Sequence, residues 1–499
     1  MHSLFVLAEA PSALSPAAGF FLVLAIGLAL AFEFVNGFHD TANAVATVIY
    51  THSLKDKVAV VWSGCWNLIG VLWSAGTVAY GIVALLPVEL VLNVGSAAGF
   101  AMVFSLLLSA ILWNVGTWYV GLPASSSHTL IGSIMGVGIG NALMHGRSYL
   151  EGINWAKAAE VGTALLLSPL VGFVCAALLL LLTRALVKNP ELFAAPKDSS
   201  PPPPWIRGLL IGTCTGVSFA HGSNDGQKGM GLIMLILVGI IPGSYALKMT
   251  AGTAELKAIA GASHAMEQVL EKHSKGPALT KAQATEELTA YVKTGALKDS
   301  TFAAVATKNR TVVAGIGALN TFNGLTEDQR RETRTDFYLV SAALDKMEKA
   351  GEFLGDDDDA AKAFCKSLDG VTKYIPDWVK VAVALALGLG TMIGYKRIVV
   401  TVGEKIGKAH LSYAQGGAAE LVAMITIAAA DRYGLPVSTT HVLSSGIAGT
   451  MAANRSGLQG KTLRNILMAW VLTLPACIFL GAGLFALGLN LVLHVVGLK

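Results

Sequence analysis

Gly121-Leu122-Pro123-Ala124-Ser125-Ser126-Ser127-His128-Thr129 reads as a helix break followed at once by a helix start. Proline removes a backbone donor and crowds the preceding turn, so it ends one helix. Serine is a preferred first residue for the next, because its hydroxyl accepts from a free backbone N–H. The pattern returns as Gly434-Leu435-Pro436-Val437-Ser438-Thr439-Thr440-His441-Val442. Coincidence does not account for two copies of Gly-Leu-Pro-x-Ser-(Ser/Thr)-(Ser/Thr)-His, so the chain repeats itself internally.

Both copies lie in apolar sequence. The chain has 499 residues, 54% hydrophobic and 14% charged, with mean hydropathy +0.60; soluble domains carry about 25% charged residues. Of the 68 charged residues, 35 fall between positions 246 and 375. That contrast describes a membrane body with one soluble insert. A net charge of +4 without a basic run excludes a nucleic-acid binder. Five cysteines show no metal or redox spacing and read as small packing residues. Met1–Ala10 lacks the basic and apolar regions of a cleaved signal peptide.

Apolar spans read at 20–35, 58–83, 98–120, 158–183, 206–220, 229–247, 376–395, 412–430 and 466–496, the last long enough for two segments. Residues 122–144 and 435–453 are full spans or re-entrant hairpins. About ten to twelve crossings are expected. The polar stretches 36–44 and 221–229 read as breaks in their spans. Residues 248–375, rich in Ala, Lys and Glu, read as a helical insert, and Asp356 to Asp359 as a solvated face. Pro201 to Pro204 read as a stiff linker between membrane halves. The expected layout is therefore a first membrane repeat over 1–200, a second beginning over 201–247 and resuming over 376–499, and the insert between. Basic loops at 51–57 and 184–207 belong in the cytoplasm by the positive-inside rule, which puts the insert there too. The basic loop 396–410 then falls outside, against that rule.

A second motif is also paired. Gly37-Phe38-His39-Asp40-Thr41-Ala42-Asn43-Ala44 aligns with Gly222-Ser223-Asn224-Asp225-Gly226-Gln227-Lys228-Gly229. Carboxylates inside membrane segments are costly and mark functional sites. Asp40 and Asp225, with Asn43, Asn224 and unwound carbonyls, would make a hard-cation shell for sodium, magnesium or a hydronium-like load. Glu420 is a further carboxylate of this kind, with Asn67 as its counterpart. Lys228 either neutralises Asp225 or touches an anion.

The hydroxyl motif suits the opposite charge. A helix start offers free N–H groups and the positive end of its dipole, an anion cradle without a buried Arg or Lys. Two such ends, lined by Ser125, Ser126, Ser127, Ser438, Thr439 and Thr440, can surround a tetrahedral oxyanion. Alternatively, these hydroxyls only satisfy kinked backbone. His128 and His441 orient the hydroxyls or take part in proton coupling. A Ser–His enzyme is disfavoured, because Ser127 and His128 are adjacent, no third partner stands out, and neither a Walker A loop nor HExxH occurs. Paired carboxylates suit alternating access better than a channel.

Residues 36–47, 221–229, 121–132 and 436–445 resemble the signatures of the inorganic phosphate transporter (PiT) family, and the whole is similar to its bacterial low-affinity members. The resemblance implies an all-α polytopic membrane protein of two inverted repeats with broken or re-entrant helices, plus a helical cytoplasmic insert. It implies a multi-pass protein of the plasma (inner) membrane that takes up phosphate by symport and is not an enzyme. Phosphate would bind at Ser125, Ser126, Ser127, Ser438, Thr439 and Thr440. Asp40, Asn43, Asn224 and Asp225 would bind or couple the cation. The bacterial low-affinity members are typically proton-coupled and carry phosphate as a neutral metal–phosphate complex, so Mg2+ or another divalent ion would travel as cargo. Other members use sodium. His39 stands where many members have Asn, and an ionisable ring beside Asp40 suits proton coupling. No cofactor is expected, and homo-oligomerisation is left open.

Overall fold

The computed structural model describes residues 16–86, 96–196, 200–274, 278–316 and 319–491. Met1–Ala10 and most of the 84–97 loop lie outside them. Among the described residues are nineteen α-helices and no strand. They are α1 (Pro16–Asp40), α2 (Ala42–Tyr50), α3 (Asp56–Trp73), α4 (Thr77–Val83), α5 (Ala97–Tyr119), α6 (Ser126–Met144) and α7 (Trp155–Leu186). Then come α8 (Pro204–Ile240), α9 (Pro242–Tyr245), α10 (Thr253–His273), α11 (Lys281–Thr294), α12 (Asp299–Ile316), α13 (Glu327–Lys349) and α14 (Asp356–Thr372). The last are α15 (Asp377–Thr391), α16 (Lys396–Glu404), α17 (Tyr413–Arg432), α18 (Thr439–Ala453) and α19 (Gly460–Leu491).

The chain divides into two compact units. One combines Val23–Leu86, Ser96–Ile233 and Pro376–Lys499. Among the described residues, five stretches are long and apolar enough to cross a bilayer: Ala18–Tyr50, Ala98–Tyr119, Trp155–Leu186, Tyr413–Arg432 and Gly460–Leu491. Two bent pairs qualify together, α3 with α4 at 80° and α15 with α16 at 65°. The long helices α7 and α19 contain Pro169 and Pro475. They expose Leu166, Leu170, Val471 and Phe479, a surface suited to lipid.

The two hairpin turns are built alike. Gly121 and Gly434 adopt left-handed φ values of 70° and 66°. The next residue's N–H reaches back five positions, Leu122 to the Thr117 carbonyl and Leu435 to the Ala430 carbonyl, each at 2.9 Å. That is the glycine-terminated helix end in which a carbonyl otherwise left open is satisfied. Ser125 and Ser438 then cap α6 and α18, accepting from the His128 and His441 N–H groups at 3.2 Å. Each hairpin helix packs on a long helix, α6 on α19 and α18 on α7.

Several sequence expectations change here. Residues 221–229 are not a break, since they lie within the single helix α8 that also merges the spans read at 206–220 and 229–247. At 36–44 the interruption is slight. Thr41 keeps helical angles and its N–H reaches the Gly37 carbonyl at 3.1 Å. The polar side chains find partners on other helices while the backbone keeps its own, and the glycines are packing residues. A Cβ at Gly226 would lie 2.6 Å from the Val71 side chain. The supposed loop 396–410 begins as helix α16, with Arg397 stacked 5.1 Å over Trp118 and bonded to the Tyr119 carbonyl. The 466–496 stretch, where two segments would fit, is one helix as far as Leu491.

The other unit includes Met234–Ile375. Helices α10 to α14 enclose a core containing Met266, Leu288, Tyr291, Phe337, Leu344 and Phe364. Capping boxes start α11 at Thr280 with Gln283 and α13 at Thr326 with Gln329. Asp356 to Asp359 occupy the first turn of α14, where the helix dipole favours acids. There Asp357 pairs with Lys272 at 2.8 Å and Asp358 with Lys362 at 2.7 Å. Lys308 and Asp336 form a buried ion pair at 2.5 Å. Asp336→Ala leaves that ammonium without a counter-charge and is expected to cost about 3–5 kcal/mol. Denaturant unfolding of the purified protein measures this, and a loss near zero would contradict it.

Candidate functional site

The site begins with Asp40, buried at the end of α1. Its Oδ2 accepts from Ser126 Oγ at 2.9 Å and Thr439 Oγ1 at 3.3 Å, while its Oδ1 accepts from Thr440 Oγ1 at 3.0 Å. One carboxylate thus gathers hydroxyls from the starts of both α6 and α18. His39 Nδ1 lies 2.9 Å from Asp40 Oδ1, and its Nε2 lies 3.1 Å from Thr117 Oγ1. Asn43, one turn onward, donates to Thr440 Oγ1 at 2.8 Å and Thr439 Oγ1 at 3.4 Å.

Asp225 sits on α8. Lys228 Nζ lies 2.7 Å from its Oδ2 and donates to Ser127 Oγ at 2.6 Å. Ser127 in turn donates to the Val437 carbonyl at 2.8 Å, which ties the two hairpins directly. Asn224 braces the second hairpin, donating to the Leu435 carbonyl at 3.2 Å and accepting from the Val437 N–H at 3.5 Å. Lys228 thus contacts both the acid and a hairpin hydroxyl.

His128 and His441 face each other with ring centroids 4.6 Å apart, and His441 stacks on Trp470 at 4.0 Å. Trp470 Nε1 donates to the Pro123 carbonyl at 3.1 Å. The rings therefore lock the two hairpins together. Glu420 is buried. Thr213 Oγ1 donates to its Oε2 at 2.5 Å, and its suggested counterpart Asn67 instead bonds Thr391 at 3.0 Å and His221 at 2.9 Å.

Three residues carry chemistry that the motif reading left unassigned. His221 Nε2 lies 3.5 Å from Asp225 Oδ2 and 3.8 Å from Asp40 Oδ2, so it stands between the paired carboxylates. Its place one turn before Asp225 was the available signal. Glu33 is wholly buried, and Asn36 donates to it and to Asp225 at 3.5 Å each. An acid inside the first apolar span was the clue to Glu33. Asp431 accepts from Ser223 at 2.6 Å and Gln227 at 2.5 Å.

Asp40, His221 and Asp225 bring three ligand atoms within 4.8 Å of one another. The Lys228 ammonium already pairs with Asp225 Oδ2, so a metal ion there would meet a fixed positive charge. The expected shell of unwound carbonyls is absent, because both segments stay helical. The arrangement is suited to holding an oxyanion at the hairpin hydroxyls and exchanging a small cation or proton at Asp40.

The profile of the Phosphate transporter family matches residues 36–481. The low-affinity inorganic phosphate transporter PitA of Escherichia coli (strain K12) is 44% identical over 494 residues, covering 95% of this chain and 97% of that protein. PitB of the same strain is 43% identical, with 95% and 98% coverage. A low-affinity inorganic phosphate transporter of Buchnera aphidicola subsp. Acyrthosiphon pisum is 40% identical, with 94% and 96% coverage. A solved structure titled "The sodium-dependent phosphate transporter" shares the fold at TM-score 0.52 and 17% identity, covering 94% of this chain and 98% of its own.

Proposed function

This chain belongs to the phosphate transporter family, and we propose that it takes up inorganic phosphate as a proton-coupled symporter, with phosphate carried as a neutral complex with a divalent metal such as Mg2+. It is a multi-pass inner-membrane protein. In this reading residues 1–200 are the first membrane repeat, 201–247 and 376–499 the second, inverted relative to it, and 248–375 a cytoplasmic insert. The phosphate ligands are Ser125, Ser126, Ser127, Ser438, Thr439 and Thr440.

One observation carries the proposal. Hydroxyls from both hairpins donate to the carboxylate of Asp40. Phosphate needs those same donors, and two anions cannot share them. Phosphate can enter only once Asp40 is neutralised, which ties anion binding to the arrival of a proton or cation. His39, whose ring lies within hydrogen-bond distance of Asp40, is the group through which a proton would come. His221 stands ready to pass charge between the paired acids. Sodium at Asp40 would satisfy the same logic.

Uptake of labelled phosphate into vesicles separates these cases when pH and sodium gradients are imposed singly, with and without magnesium. Uptake driven by the pH gradient and enhanced by magnesium is expected. Uptake driven by sodium alone would replace proton coupling with the sodium reading. Ser126→Ala and Thr439→Ala should each weaken apparent phosphate affinity by about ten- to a hundredfold, since a hydrogen bond to a charged group is worth about 1.5–3 kcal/mol. Membrane levels should hold. Unchanged KM in both would remove these hydroxyls from the site.

A further inference from the structure

We infer that Lys228 is a tethered substitute for a second coupling cation, so that only the Asp40 half of the paired site exchanges an ion during transport. The inference rests on the symport reading above and specifies its ion requirement.

The internal alignment sets Asp40 against Asp225 and Asn43 against Lys228. In each copy the second residue follows the acid by three positions, on the same helix face. The tertiary contacts repeat the match. Asn43 donates to Thr440, the third hydroxyl of the second hairpin, at 2.8 Å. Lys228 donates to Ser127, the third hydroxyl of the first hairpin, at 2.6 Å. Two residues that align in sequence thus make the same contact to the opposite hairpin, and they occupy equivalent places.

Their chemistry differs in the one respect that matters to an ion. An amide offers an oxygen, and Asn43 Oδ1 is buried without a hydrogen-bond partner. An ammonium offers three donors and no acceptor. Asp40 and Asn43 share the Thr439 and Thr440 hydroxyls, so a carboxylate and an amide whose oxygen has no hydrogen-bond partner meet the same two groups. At Asp225 the charge lies instead 2.7 Å from Oδ2, on a side chain with no exposure. Glu33, whose buried Oε1 has no partner, and His221 share this neighbourhood. A covalently held charge never leaves with the cargo. It neutralises Asp225 throughout the cycle, anchors Ser127 and lowers the number of ions moved per phosphate.

The test uses the purified full-length protein in proteoliposomes, with labelled phosphate, magnesium, and either choline or sodium outside. Unaltered protein should respond to sodium by less than about twofold. Lys228→Asn rebuilds an Asp–Asn pair, and the loss of one buried charge partner should lower uptake in choline by roughly tenfold or more. Sodium or lithium should then restore it by about fivefold or more, a gain a merely structural lysine would not yield. Unaltered uptake by Lys228→Asn in choline overturns the inference. So does a variant that binds phosphate yet responds to neither sodium nor lithium. A reversal-potential measurement on the unaltered protein needs no variant: one coupling cation per phosphate is expected, and two would overturn the inference. Loss of all saturable phosphate uptake by the unaltered protein would instead refute the symport reading itself.

Discussion

Asp40→Asn is expected to abolish coupled phosphate uptake while the protein stays in the membrane at its normal level. Asn keeps the shape of Asp but not its charge. Three hydroxyls and one imidazole now converge on that carboxylate. The amide presents N–H donors to groups that are themselves donors. A side chain that is neutral throughout cannot exchange a cation or proton for phosphate at those hydroxyls, so the gradient no longer drives uptake. Asp225→Asn should also abolish coupled uptake, since Lys228 loses its counter-charge. Initial uptake rates in vesicles, normalised to the amount of protein, read the effect. Normal rates in both variants would take the carboxylates out of the mechanism.

A second large effect is expected at Gly136 on α6. A Cβ there would collide with the Ile478 carbonyl oxygen of α19. Overpacking a core that can relax costs about 1–3 kcal/mol, but here the obstacle is backbone and cannot rotate away. Close helix approach through small residues also stands in for the hydrophobic drive that lipid removes. The pattern recurs where α18 meets α7, since a Cβ at Gly449 would strike the Phe173 carbonyl. Gly136→Val should therefore abolish a monodisperse peak in detergent and lower thermal stability sharply. Gly162→Val on α7, where nothing lies within 4 Å, should be tolerated. Equal behaviour of the two variants would contradict the packing argument.

Much of this protein could be read from its residues. The all-helical membrane character follows from composition, because long apolar stretches have only two ways to satisfy their backbone in a bilayer. Both hairpin turns were legible as Gly-Leu-Pro-x-Ser, since glycine, proline and serine each dictate a local backbone state. The acidic motifs stood out because charge inside an apolar span requires a reason. Residues 221–229 misled for a physical reason too. Glycine and polar residues signal a break in water-exposed sequence, whereas inside a bundle the glycines serve close packing and the polar groups bond to neighbouring helices.

Sequence alone therefore determined the class of the molecule, the two hairpins and the candidate acids, because these depend on local backbone preference and on the cost of charge in an apolar span. The tertiary structure alone decided that both hairpins turn their hydroxyls onto the single carboxylate of Asp40. It alone brought His221 between the acids and gave Asn43 and Lys228 matching contacts to opposite hairpins. Those facts join residues as far apart as Asp40 and Thr440, and no local rule links positions whose separation is closed only when helices pack.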